Sequence, residues 1–334
     1  MIAARTDELA LQYRARTIDL PAKRILVTRY HGTDQEKDLS EPANCGGYGR
    51  VRHFKRYGNR RWVPNPLPID PAYHALGTSP ANEIRAQVFQ SAGCHLRCWY
   101  CFVPYASLAA DTNRSEWLSA SDLIDRLLAE GDARPRVIDL SGGEPGLIPE
   151  WIIWMLEEIR NRGLESEFYL WSDDSLSVDY GGRFLTRDQQ ELLAGCRFYG
   201  RVGCFKGFDE TSFAFNTGAN AELFARQFLV MERLIASGLD AYAYVTLTAP
   251  SSVGISDSVR TFVDRLQRVS ENLPLRTVPL EIHVFTPVES RLNDSRRAAL
   301  DVQRAAVDTW TRELETRFSS EMRQLPIWAV PLAI

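Results

Sequence analysis

No stretch of this 334-residue sequence approaches the 18 consecutive apolar residues of a membrane span. The opening segment, MIAARTDELALQYRAR, is charged throughout and lacks the apolar core and small-residue cleavage site of a secretory signal. Low-complexity tracts and internal repeats are not evident. Six cysteines, three of them clustered, do not make a disulfide framework and suit a metal or redox role in a reducing compartment. Basic charge is not in surplus either. A formal net charge of −4, from 39 Lys and Arg against 43 Asp and Glu, argues against a generally basic nucleic-acid binder. What remains is a cytoplasmic globular protein with no membrane partner, whose 45% hydrophobic content allows a core of normal size.

Residues 1–82 carry many prolines and glycines, the polar tract HGTDQEKDLSEPANCGGYG and the basic-aromatic stretch RVRHFKRYGNRRW, with one short apolar run at Arg24–Thr28. They read as an irregular N-terminal extension, a candidate substrate-binding or barrel-capping segment, before a main domain over 83–334. From Glu83 the chain becomes regular. Strands are expected at EIRAQVFQ, VIDLS, SEFYLWS, RVGCF, AYAYVTLT and LEIHVF, each followed at some distance by a helical pattern. The helices carry their own punctuation: a serine cap in SASDLIDRLLAEG, Pro149 opening and Gly163 closing PEWIIWMLEEIRNRG, and Thr186 capping TRDQQELLAG. Six strand-then-helix units imply parallel strands joined by right-handed crossovers. They are too few for an eightfold barrel and predict a partial (β/α)6 TIM-like barrel. Loops at the carboxyl ends of its strands should then converge on one mouth.

The first such loop, GCHLRCWYCF, holds Cys94, Cys98 and Cys101 within eight residues and has no fourth cysteine nearby. Thiolates select zinc, copper(I) or iron–sulfur clusters. A zinc site completed by His53 or Cys45 is one reading, although zinc modules usually pair two short ligand pairs across a loop. A [4Fe–4S] cluster normally takes four cysteines, so three would leave one iron open. A thioredoxin-like role for Cys98 and Cys101 would need a different strand–helix context.

This Cys-x3-Cys-x2-Cys loop, with Tyr100 before its last cysteine, and the SGGEP of Ser141–Pro145 on the second strand resemble the radical S-adenosylmethionine (radical SAM) superfamily over roughly residues 83–290. The resemblance implies that Cys94, Cys98 and Cys101 bind a [4Fe–4S] cluster whose open iron is chelated by S-adenosyl-L-methionine. It further implies an oxidoreductase-type enzyme in which one electron, from an external donor such as flavodoxin or ferredoxin, cleaves the sulfonium to a 5′-deoxyadenosyl radical. That radical abstracts hydrogen from a substrate protein, peptide or small molecule.

Gly142 and Gly143 let backbone approach a ligand, Glu144 offers a carboxylate to the methionine ammonium, and Tyr100 is a candidate adenine contact, with a core aromatic as its alternative. LWSDDS and GCFKGFDETSFAFNTG resemble, more weakly, the pyruvate formate-lyase activating enzymes, which would make a protein glycine the hydrogen donor. On that pattern Lys206 is expected near the methionine carboxylate, and Thr217-Gly218 matches a later pair. Cys204 stands where the pattern has aspartate and Trp171 where it has an acid, so a cation site built there is in doubt. Ser172, Asp173 and Asp174 are candidate ribose contacts or, alternatively, a helix cap. Cys196 reads as a buried thiol, while Cys45 in NCGGYG is a candidate reactive residue, since loop cysteines can be reactive. His283 would face the mouth or sit satisfied in the core. The competing class is a zinc-dependent nucleic-acid-binding module using RVRHFKRYGNRRW. Alternatively, Arg50, Arg52, Lys55 and Arg60 of that stretch would favour an anionic group on the substrate.

Overall fold

The structure, a computed structural model, describes residues 6–59 and 62–333. Its strands are β1 (Ile18–Asp19), β2 (Arg24–Thr28), β3 (Gly49–Lys55), β4 (Glu83–Phe89), β5 (Ser115–Ser119), β6 (Val137–Leu140), β7 (Tyr169–Asp174), β8 (Tyr199–Phe205), β9 (Ala241–Thr246) and β10 (Thr277–Leu280). Seven of them form one sheet in the order β10-β9-β8-β7-β6-β4-β3. The pairs from β4 through β10 are parallel, and β3 adds an antiparallel edge beside β4. This is a curled half barrel, the partial TIM-like fold expected from six strand–helix units.

Helices cover the outer face. Those at Ala120–Ala129, Pro149–Asn161 and Arg187–Ala194 pack one apolar cluster against the sheet. Those at Leu223–Ala236, Ile255–Val269 and Asp294–Arg317 pack a second. The caps work as their sequences indicate: Ser119 and Thr186 each form a reciprocal capping box. A third cluster fills the inside of the barrel, where Ile84, Ala86, Val137, Trp171, Val202, Tyr242 and Val278 meet. Side chains alternate faces along a strand, so this set identifies the inward positions of every strand that contributes to it.

Two regions differ from expectation. The sixth strand is Thr277–Leu280, three residues ahead of LEIHVF, and it tolerates Pro279 because it lies at the sheet edge. Residues 281–285 leave the sheet, and His283 is exposed beside Glu281 and against the Phe285 ring rather than in the core. The N-terminal stretch, expected to be irregular, contains the helix Thr6–Thr17, part of a small β1-β2-β5 sheet, and β3 of the main sheet. That helix has no apolar stripe to announce it; it is anchored instead by Arg14, which donates to Glu150 (2.8 and 2.5 Å) and to the Leu147 carbonyl (2.9 Å).

Candidate active site

The cysteine loop leaves the carboxyl end of β4 and is fixed from several sides. Upstream, β2 holds residues 90–92: Thr28 N donates to the Gln90 carbonyl and Ala92 N to the Leu26 carbonyl, both at 2.9 Å. Residues before Glu83 therefore support the start of the loop. Within the loop, Tyr105 Oη donates to the carbonyls of Arg97 (2.9 Å) and Cys98 (3.0 Å). Arg291 lies 3.8 Å from the Tyr105 ring centroid and donates to the carbonyls of Cys101 (2.7 Å) and Val103 (2.8 Å).

A further anchor is Asn216, fully buried in the helix Glu210–Thr217. Its carbonyl and its Oδ1 each accept from Trp99, through backbone N and Nε1, at 3.1 Å. Its Nδ2 donates to the carbonyls of Lys206 (2.9 Å) and Thr248 (3.0 Å), and Thr248 Oγ1 returns a bond to Oδ1 at 2.7 Å. One side chain thus ties the cysteine loop to the ends of β8 and β9. Thr217-Gly218 closes the same helix: Gly218 takes φ +68°, and the Thr217 carbonyl accepts from Arg97 N.

Cys94 is buried; Cys98 and Cys101 are partly open. Burial holds the Cys94 thiol well above the usual range, with Glu144, Cys98 and Cys101 adding to it, and pushes Cys98 up to about 11. Three soft donors crowded this way need a cationic centre to ionise. Among the described residues, no group of three His, Cys, Asp or Glu is gathered as a single metal ion requires. The donor set and the loop architecture fit a [4Fe–4S] cluster with one iron left for a non-protein ligand.

Facing the cysteines is SGGEP. Glu144 N donates to the Gly93 carbonyl (2.8 Å) and to Ser91 Oγ (3.2 Å), which docks this turn against the cysteine loop. The glycines are needed for that docking as much as for any ligand. Gly143 has φ +67°, and a Cβ there would stand 2.2 Å from Ser91 Oγ; one on Gly142 would meet the Gln90 side chain at 2.6 Å. Glu144 is 3% exposed and accepts from Gly146 N (3.2 Å) and Ser175 N (3.3 Å). Burial first, and the nearby Asp174 second, push its carboxyl up to about 7. Lys206 at the end of β8 lies within electrostatic reach of Cys98, Tyr100 and Glu144. Burial works against its charge, and Cys204 first, with Tyr100, Cys98 and Glu144 after it, more than offsets that, raising the ammonium above its ordinary range. Tyr100 packs edge-on against Trp99 and shares a hydrogen bond with Thr246 Oγ1 at 3.0 Å.

Not every expected residue joins this group. Trp171 and Asp173 take the inward positions of β7, so Ser172 faces outward, fully buried and bonded to Tyr199 Oη at 2.8 Å. Ser172 is therefore not placed for ribose. Asp173 faces inward and accepts from Ser141 Oγ at 2.6 Å. Asp174 points away with Ser172, its Oδ2 3.7 Å from Arg201 Nη1. Cys45 lies under the helix Ala120–Ala129 and is 1% exposed; burial pushes its thiol up to about 12, an environment unsuited to the reactive role considered for it. Cys196 is buried in the outer apolar cluster. Arg50 and Arg52 point into the barrel, Lys55 is exposed at the far end of β3, and Arg60 lies outside the described residues. The stretch RVRHFKRYGNRRW is thus not displayed as one basic face.

A curled half barrel with three cysteines on its first loop and a glycine-rich turn on its second is matched over residues 89–248 by the Radical SAM superfamily model, so this chain carries a radical SAM domain. A 7-carboxy-7-deazaguanine synthase from Rhodopirellula baltica is 36% identical over 124 residues, 30% of this chain and 46% of that protein, so this chain spans less than half the relative's length. Among solved structures, Streptococcus suis SuiB bound to its precursor peptide SuiA gives a TM-score of 0.40 at 16% identity over 55% of this chain and 36% of that one. TsrM, a radical S-adenosylmethionine methyltransferase from Kitasatospora setae with cobalamin and a [4Fe–4S] cluster bound, gives 0.37 at 16% identity over 55% and 34%.

Proposed function

We propose that this chain is a single-cluster radical SAM enzyme that abstracts hydrogen from a small polar metabolite. When bound, the cluster and S-adenosylmethionine together supply a 5′-deoxyadenosyl radical, with methionine as the other product. The chain's own residues set where that happens. Cys94, Cys98 and Cys101 would hold the cluster, and Glu144 would accept from the methionine ammonium, an ion pair worth making in a site that burial has already desolvated. Lys206 would stand at the carboxylate, Asp173 would take a ribose hydroxyl, and Tyr100 would border the adenine. The observation that carries the reading is the convergence of Cys98, Tyr100, Glu144 and Lys206 at the carboxyl ends of the strands.

Two features favour a small substrate over a protein glycine or a peptide. Gln35 reaches Gln90 Nε2-to-Oε1 fashion at 3.1 Å, and Asp38 takes Thr286 N (2.8 Å) and Oγ1 (3.0 Å), so residues of the N-terminal segment already stand at the mouth. Trp171 and Cys204, the positions that depart from the activating-enzyme pattern, belong to the apolar interior cluster and offer no carboxylates to a cation. The relative's name also denotes a metabolite enzyme. We place the protein in the cytoplasm, with flavodoxin or ferredoxin as electron donor; among the described residues no helix is long and apolar enough to cross a membrane. The test is anaerobic incubation of reconstituted protein with reductant and deuterated candidate substrates. Deuterium should enter 5′-deoxyadenosine from a small molecule; transfer from a protein glycine instead would overturn the substrate assignment.

A further inference from the structure

Beneath the mouth, inside the barrel, several polar side chains meet with fewer hydrogen bonds than they can make. Asp139 of β6 is fully buried, and neither carboxylate oxygen has a hydrogen-bond partner. Arg52 Nη1 stands 3.6 Å from its Oδ2, close enough to pair in charge but not to bond. The Arg52 guanidinium lies 4.0 Å from the Phe54 ring centroid, and that of Arg50 4.9 Å from Phe102. Arg50 Nε and Gln90 Nε2 are likewise buried and without a partner, while Tyr30 Oη, also buried, faces the Arg50 guanidinium. Asp173, on the neighbouring strand, is close enough for its charge to be felt at Asp139. Buried polar groups in proteins are nearly always paired, and a cluster of orphans marks a place where something else supplies the partners.

The composition of the cluster says what that is. Two guanidiniums and two carboxylates sum to no net charge, yet they hold the two signs on different strands. Arg50 and Arg52 come from β3, while Asp139 and Asp173 come from β6 and β7. Strands β3 and β6 flank β4, whose inward residues at this level, Ala86 beside Arg52 and Val88 between Arg50 and Asp139, carry smaller side chains than their neighbours. We propose that this chamber is the substrate site and that its substrate is a compact zwitterion, with a carboxylate taken by Arg50 and Arg52 and a protonated amine or N–H donor taken by Asp139. The inference rests on the radical SAM reading of the mouth above it, which puts the reactive centre within reach of a molecule so held. It assigns the β3 arginines, which lie outside the residues 89–248 matched by the superfamily model, as specificity residues.

The test uses the reconstituted full-length protein under anaerobic conditions and three probes of equal chain length: 4-aminobutyrate, butyrate and butylamine. Binding is read by ligand-observed nuclear magnetic resonance. The zwitterion should bind about tenfold or more tightly than either singly charged probe, as two desolvated charge contacts require. Asp139→Asn should reduce 4-aminobutyrate to the level of butyrate, and Arg50→Gln should reduce it to the level of butylamine. Either variant suffices if the other does not fold. Three probes of equal affinity, or no binding of any, would overturn the zwitterion assignment. S-adenosylmethionine cleavage by the same wild-type preparation is measured alongside. Cleavage without zwitterion preference sinks this inference alone; zwitterion preference without cleavage keeps the chamber and sinks the radical reading.

Discussion

Removing the Asn216 side chain is a sharp test of how the cysteine loop is held. The amide makes four hydrogen bonds, to Trp99 Nε1, Lys206 O, Thr248 O and Thr248 Oγ1, in a fully buried setting. Each buried bond contributes about 1 kcal/mol net, and each buried partner left without one costs ~1–3 kcal/mol. Asn216→Ala orphans an indole N–H and a hydroxyl together, and a water entering the vacated volume would recover part of the loss. A destabilisation of roughly 3–5 kcal/mol follows, at the upper end for a single substitution. Unfolding entropy scales with length, so in a chain of 334 residues each kcal/mol is about 1.4 °C, and Tm should fall by roughly 4–7 °C. The damage should also be local. Trp99 lies between Cys98 and Tyr100, so the variant should lose bound iron before it loses secondary structure. Thermal circular dichroism and iron content per chain measure the two effects. A variant melting within 1 °C of the parent with full iron would show that Asn216 does not anchor the loop.

Cys98→Ala should abolish bound iron and sulfide along with S-adenosylmethionine cleavage, because two thiolates cannot retain the cluster; retention of the full iron–sulfur spectrum would remove Cys98 from the ligand set. Gly143→Ala places a methyl against Ser91 at a positive φ, and should destabilise by about 2–4 kcal/mol in chemical denaturation; a neutral result would mean that the turn does not dock as described. Glu144→Ala should keep the cluster and weaken S-adenosylmethionine binding about tenfold to a hundredfold in calorimetry, the value of one charge-assisted hydrogen bond. His53 bonds Glu83 (2.5 Å) and Glu41 (2.8 Å), chiefly the former raising its pKa. A raised histidine stabilises below its unfolded pKa and loses that contribution as pH rises through the folded value. The Tm difference between wild type and His53→Gln should therefore be larger near pH 6 than near pH 9, and a pH-independent difference would refute it.

The strands VIDLS, SEFYLWS, RVGCF and AYAYVTLT and the capped helices between them were legible because periodicity and punctuation agree there with tertiary packing. The cysteine loop and SGGEP were legible because their chemistry is local to the sequence. The helix Thr6–Thr17 was not, since an ion pair to Glu150 rather than an apolar stripe fixes it. Nor was β3, whose alternating arginines read as a surface until Asp139 is seen to stand opposite them inside an otherwise apolar barrel. Among Ser172, Asp173 and Asp174 the inward residue was legible, because Trp171 is a large aromatic destined for the interior and the period of two then turns Asp173 inward. Asp139 left a signal that periodicity passes over: one acid in an otherwise apolar buried strand. Asn216 left none, for its value lies in contacts to residues 10 to 117 positions away.

The account stands or falls on whether the three-cysteine loop supports reductive cleavage. Anaerobically reconstituted protein, given dithionite and S-adenosylmethionine, should be brown, contain iron and sulfide, and release 5′-deoxyadenosine and methionine in equal amounts. Colourless protein containing zinc, with no 5′-deoxyadenosine formed, would contradict it.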